Sequence, residues 1–127
     1  MKLPPVVLLT DSRDPLASRA GVPVATRMWQ LRGRVVHARV PVAELGRVAL
    51  FSTLAGARAV IAAPIGEARP LPWWERRFHR YVLSSPEEAA AWQATGIHLG
   101  RLAVARPDPW EVEALRAIWT EVGAMSR

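Results

Sequence analysis

The sequence has 127 residues, half of them apolar, and its 17 Lys and Arg against 11 Asp and Glu give a formal net charge of +6. This length and composition predict a single globular domain, residues 1–127, with enough apolar residues for a core of its own. The absence of cysteine excludes disulfides, thiolate metal sites and cysteine nucleophiles.

The basic excess is almost entirely arginine, because Lys2 is the only lysine in the chain. Asparagine is absent and there are 11 prolines. These features are typical of thermophile proteins, and a GC-rich genome produces the same bias. The net charge alone is therefore weak support for a polyanionic partner.

The N-terminal segment lacks the pattern of a secretory signal, since two prolines precede its short apolar core and an acidic residue follows it. No apolar run in the sequence approaches the roughly 20 residues that span a bilayer. We therefore predict a cytoplasmic protein without a membrane partner.

Short apolar runs predict strands at residues 6–9, 58–63 and 97–105. Two further β-rich runs, 22–31 and 34–40, flank a central Arg-Gly pair, which predicts a β-hairpin near residues 22–40.

Helical spacing of apolar residues predicts helices at 41–54 and 72–81, and a final helix that ends near Val122. Another helix is expected from Pro86 onward, with Ser85 as its N-cap. Strands and helices do not alternate strictly. The expected fold class is therefore α+β, with a mixed or antiparallel sheet of four to five strands and helices packed on one face.

The stretch that most suggests a function is rich in tryptophan and arginine and lies within the predicted helix 72–81. Helical spacing places four of its residues on the outer side: Trp73, Arg76, Arg77 and Arg80. Guanidinium groups pair with phosphates and aromatic rings stack on unpaired bases. This stripe predicts a small non-enzymatic binding or regulatory module that engages RNA or DNA. An ordinary solvated helix face is the competing interpretation.

The same residue types also suit a protein interface, because Trp and Arg are enriched at interaction hot spots. The chain has six tryptophans, and the predicted hairpin places Trp29 and Arg27 on one face, where they can widen such a surface. The alternative hypothesis is therefore a homodimeric protein-interaction module.

A polar loop follows the first predicted strand and forms a second candidate site. It contains four residues that suit a cation or a phosphate: Asp11, Ser12, Arg13 and Asp14. The same residue types also make an ordinary turn. A small-ligand-binding protein or an enzyme that uses this loop is the least favoured hypothesis.

The three histidines, His37, His79 and His98, lack the spacing of metal ligands, and the sequence contains no nucleophile or phosphate-loop motif. His37 is expected on the surface, because it alternates with apolar residues of a predicted strand. We therefore predict no catalytic residue, no metal and no cofactor.

Overall fold

The structure is a computed structural model that describes residues 5–10, 16–106 and 111–125. Within these residues, five strands form one sheet. The strands are β1 (Val6–Leu9), β2 (Val35–Ala38), β3 (Ala59–Ala62), β4 (Arg80–Leu83) and β5 (Leu102–Val104). The helices are α1 (Leu16–Ala20), α2 (Leu45–Ala55), α3 (Pro86–Ala94) and α4 (Val112–Met125). Four 3₁₀ turns span Met28–Leu31, Val42–Glu44, Trp73–Arg77 and Leu99–Arg101.

All four strand pairs are parallel, and the strand order across the sheet is the chain order, β1-β2-β3-β4-β5. The predicted mixed or antiparallel sheet is therefore wrong, and the fold class is α/β. The apolar runs explain the difference: β2 and β3 are buried at every position. Strands that are apolar on both faces are typical of parallel sheets covered by helices on both sides.

The core lies in two layers, one on each face of the sheet, so the expectation of helices on a single face is also wrong. Alternate strand residues such as Val6 and Leu8 pack with α1 and α4. Their neighbours, such as Val7, pack with α2, α3 and the connecting turns on the other face. The sheet is thus the middle of three layers.

The predicted β-hairpin at residues 22–40 is absent from the structure. Val24 instead forms a parallel bridge with Leu8, where the Leu8 N–H donates to Pro23 O at 2.9 Å and the Ala25 N–H donates to Leu8 O at 2.8 Å. This segment covers the outer edge of β1, which would otherwise expose unpaired backbone groups. Gly33 does form a turn, at φ 67°, but the turn leads from a 3₁₀ segment into β2.

The predicted helix at 72–81 is wrong as well. The 3₁₀ turn ends at Arg77, and Phe78 already has extended backbone angles. The His79 N–H then donates to Val60 O at 2.8 Å, which begins the pairing of β4 with β3. Strand pairing and burial of the apolar residues therefore override the local helical spacing.

The expected start of α3 is confirmed, because Ser85 Oγ accepts a hydrogen bond from the Glu88 N–H at 3.2 Å and Pro86 occupies the first turn. α4 buries Leu115, Trp119 and Val122. No helix of the described residues is long and apolar enough to cross a membrane.

Candidate nucleic-acid interface

The predicted tryptophan–arginine stripe is divided between two elements and the two faces of the sheet. Trp73, Arg76 and Arg77 lie in the 3₁₀ turn Trp73–Arg77, which we call the Trp73 turn, and all three are exposed. Arg80 begins β4, where side chains alternate between the faces. Tyr81 faces the layer of α2 and α3, so Arg80 faces α4 instead.

Arg80 connects β4 to the C-terminal part of α4 and is not part of the exposed stripe. Its guanidinium pairs with the Glu121 carboxylate and donates to the His79 carbonyl at 2.8 Å. The side chain is 15% exposed. The prediction that Arg80 joins the binding surface is wrong, because it rested on a helix that the structure does not contain.

The Trp73 turn presents an aromatic ring and a guanidinium as one unit. The Trp73 side chain is 74% exposed, and Arg77 Cζ lies 5.9 Å from the centroid of its ring, within cation–π range. Neighbouring Arg76 is exposed and forms no ion pair with any described residue. The turn therefore offers a flat apolar ring next to two unneutralised cations.

A chain of inward-facing aromatic rings anchors this turn. Trp74 packs on α2 at Gly46, where a Cβ atom would lie 3.2 Å from Trp74 Cζ2. Trp74 meets Phe78 edge-on with ring centroids 6.3 Å apart, and Phe78 lies 5.5 Å from Tyr81. Tyr81 stacks on Trp92 of α3 at 6.1 Å. The outward position of Trp73 is thus fixed by the inward position of its neighbour.

Polar contacts also hold the turn. Tyr81 Oη donates to Glu75 O at 2.7 Å, and Arg101 lies 3.4 Å from the Glu75 carboxylate. Burial, followed by the nearby Glu75 charge, raises the pKa of Tyr81. The hydroxyl therefore keeps its proton and remains a donor across the ordinary pH range.

A second exposed tryptophan lies in the 3₁₀ turn Met28–Leu31, which we call the Trp29 turn. Trp29 is 69% exposed, whereas Leu31 is buried and anchors the turn. Gln30 Oε1 accepts hydrogen bonds from the N–H groups of Thr26 and Arg27, at 2.7 and 3.0 Å. Sequence reasoning placed Trp29 in a strand but did anticipate that it faces outward with Arg27.

The outer face of α2 carries four exposed residues: Arg47, Leu50, Phe51 and Leu54. Their three- and four-residue spacings make them neighbours on the helix surface. The sequence suggested that the three apolar members widen the buried face of this helix. The same helical spacing placed Ala49 and Ser52 inward, where both are buried, but the exposure of the larger residues was missed because the sequence does not show how much of the helix surface the sheet covers.

These three elements adjoin one another, and we call their exposed side chains together the α2 surface. α2 contacts both the Trp29 turn and the Trp73 turn. Because the strand order is the chain order, α2 lies between the two turns. All aromatic side chains that are exposed in the described residues belong to this surface. Its members are Arg27, Met28, Trp29, Arg32, Arg47, Leu50, Phe51, Leu54, Trp73, Arg76 and Arg77.

The three histidines do not come together. His37 is fully buried and its Nδ1 accepts a hydrogen bond from Trp119 Nε1 at 3.0 Å, so the predicted surface position is wrong. His79 is half-buried, and burial lowers its pKa, an effect to which the Arg80 and Arg101 charges add. His98 is exposed, and its Nδ1 accepts from the Gly100 N–H at 3.0 Å.

The second candidate site, Asp11 to Asp14, lies outside the described residues. Among the residues that the structure describes, no group of three metal-ligating side chains is close enough to hold an ion.

Comparison with protein-family models, with curated proteins and with solved structures finds no match to this chain. The function must therefore be argued from the surface itself.

Proposed function

We propose that the protein is a non-enzymatic module that binds single-stranded nucleic acid through the Trp73 turn. The observation that carries the proposal is the exposed Trp73 ring with the Arg77 guanidinium over it and Arg76 beside it. An unpaired base stacks on an exposed aromatic ring, and phosphates pair with guanidinium groups that lack another counter-charge.

The charge distribution supports this proposal. The exposed acidic residues of α4, Glu113 and Glu121, lie on the opposite side of the sheet from the Trp73 turn. The chain carries a net charge of +6, and the α2 surface concentrates arginines on one side. A polyanion is therefore attracted to the side that carries the exposed rings.

The test is the fluorescence anisotropy of a labelled mixed-sequence RNA, titrated with protein at low and at near-physiological salt. We expect saturable binding that weakens with salt. Arg77→Glu should weaken it by at least about tenfold, because it removes one charged contact and adds a repulsive one. The matched control is Arg19→Glu, since Arg19 is exposed on α1 and lies on the other face.

A duplex of the same sequence is a second control. Its bases are already stacked, so it should compete less well than the single strand for a site that works by stacking. Absence of binding at low salt, or equal weakening by Arg77→Glu and Arg19→Glu, would contradict the proposal.

A homodimeric interaction module is the second candidate function. The exposed aliphatic residues Leu50 and Leu54 favour it, because contiguous exposed apolar residues mark protein interfaces. Light scattering over a concentration series tests this function directly. A monomer at high micromolar concentration would argue against it.

A further inference from the structure

We infer that the bound strand does not end at the Trp73 turn but crosses α2 and reaches Trp29, so that the whole α2 surface is one single-stranded nucleic-acid site. This inference rests on the proposed function. It goes beyond that function because it assigns the strand's path and adds binding residues on two further elements.

The first argument is the repeated pairing of an exposed aromatic ring with arginine. On the Trp73 turn, Arg77 lies over the ring. On α2, Arg47 and Phe51 are four residues apart on the exposed face, a spacing that makes them neighbours on a helix. Each pair offers one stacking surface and one phosphate contact, which is the composition of single-strand binding tracks.

The Trp29 turn repeats the same pattern at the far end of the surface. Arg27 precedes the turn and Arg32 follows it, and both are exposed. Arg32 also lies near the C-terminal end of α2, since a Cβ atom at Gly56 would be 3.8 Å from Arg32 Cγ. The base of the Arg32 side chain therefore lies beside α2, within reach of a nucleic-acid strand that leaves this helix.

The second argument is charge complementarity. The surface has five exposed arginines, and none of them pairs with an acidic side chain in the described part of the chain. The exposed acids on this side include Glu44, before α2, Glu67, in the β3–β4 connection, and Glu87, in the first turn of α3. If all five arginines contact phosphates, log K should fall with log salt at a slope of about −3.5, whereas two arginines on the Trp73 turn alone give about −1.4.

The third argument is length. Packed neighbouring elements lie about 8–10 Å apart, so the two turns on either side of α2 are roughly 16–20 Å apart. Only a strand of several nucleotides can reach both tryptophans. Affinity should therefore rise steeply with oligonucleotide length until α2 is spanned and then level off, in the range of about 4–16 nucleotides.

The experiment compares oligothymidylates of increasing length, up to about 16 nucleotides, with the wild-type chain and four single variants, of which Trp73→Ala tests the proposed function. Trp29→Ala and Arg47→Gln test the extension, and Arg19→Gln on the opposite face is the charge control. Loss of one stacked base should weaken binding of the long oligonucleotide by about 5- to 150-fold in Trp29→Ala. Arg47→Gln should reduce the magnitude of the salt slope by about 0.7, and Arg19→Gln should leave it unchanged.

The outcomes separate this inference from the proposed function. If the wild type binds and Trp73→Ala weakens binding, but Trp29→Ala and Arg47→Gln behave as the wild type does, the Trp73 turn is the whole site and the extension is refuted. If no oligonucleotide binds, both proposals fail, and self-association of the chain would then favour the homodimeric module. Circular dichroism of each variant checks the fold, which these exposed substitutions should preserve.

Discussion

The hydrogen bond between Trp119 of α4 and His37 of β2 offers a direct test of what holds the helix layer on the sheet. Both side chains are fully buried, and Trp119 Nε1 donates to His37 Nδ1 at 3.0 Å. Trp119→Phe keeps an apolar ring but leaves the Nδ1 acceptor buried without this donor, which costs about 1–3 kcal/mol. The lost ring atoms add on the order of 1 kcal/mol. We therefore expect the free energy of unfolding to fall by about 2–4 kcal/mol.

The assay is urea unfolding followed by far-ultraviolet circular dichroism, which does not depend on the removed indole. Trp92→Phe is a matched control: Trp92 is equally buried, and its Nε1 has no hydrogen-bond partner in the described residues. It deletes similar ring atoms without losing a hydrogen bond. Trp119→Phe should therefore cost about 1–3 kcal/mol more than Trp92→Phe.

A double-mutant cycle with His37→Leu completes the test. When the donor and the acceptor are both replaced by apolar groups, neither nitrogen of this hydrogen bond remains, so none is left buried after losing its partner. The double variant should therefore be more stable than the sum of the single effects predicts, by about 1–2 kcal/mol. Equal costs for Trp119→Phe and Trp92→Phe, with additivity within about 0.5 kcal/mol in the cycle, would show that the hydrogen bond between Trp119 and His37 does not stabilise the fold.

Three further predictions concern residues outside this pair. Arg80→Gln should lower the free energy of unfolding by about 1–2 kcal/mol, because Arg80 holds α4, but should weaken oligonucleotide binding no more than Arg19→Gln does. Ser85→Ala should cost about 1 kcal/mol in thermal or urea unfolding through loss of the α3 cap. Stability should also fall as pH drops below 6.5, because burial lowers the pKa of folded His79 while the unfolded chain takes up the proton. The same titration with His79→Gln should show a shallower fall, and an unchanged profile would contradict this assignment.

The sequence located several strands well but did not reveal their direction. The runs at 6–9 and 58–63 contain β1 and β3, because continuous apolar residues over four or more positions indicate a strand buried on both faces. The same feature pointed to a parallel sheet. It was outweighed by the hairpin predicted at residues 22–40 and by the lack of strict alternation between the predicted strands and helices, both of which favoured antiparallel pairing.

The exposure of the candidate residues was predicted in part. Trp73, Arg76 and Arg77 are exposed beside inward-facing Trp74, as helical spacing suggested, although the element is a single 3₁₀ turn. Arg80 was misplaced because it lies in a strand and not in the predicted helix. Side chains alternate between the two faces of a sheet, so Arg80 points to the face opposite that of Tyr81. The contribution of α2 to this surface was not predicted, because tertiary packing decides whether Leu50, Phe51 and Leu54 are covered or exposed.

Salt dependence separates the two candidate functions. Both use the α2 surface, but its positive charge repels a second copy of the chain and attracts a polyanion. A symmetric dimer through this surface brings the same patch of both subunits together, so ten arginines from two copies would face each other (five exposed on each). Added salt screens that repulsion and should strengthen the dimer. Nucleic-acid binding releases counterions and should weaken with added salt. Association that tightens as salt rises would therefore favour the dimer, and weakening would favour the polyanion, whatever the absolute affinity.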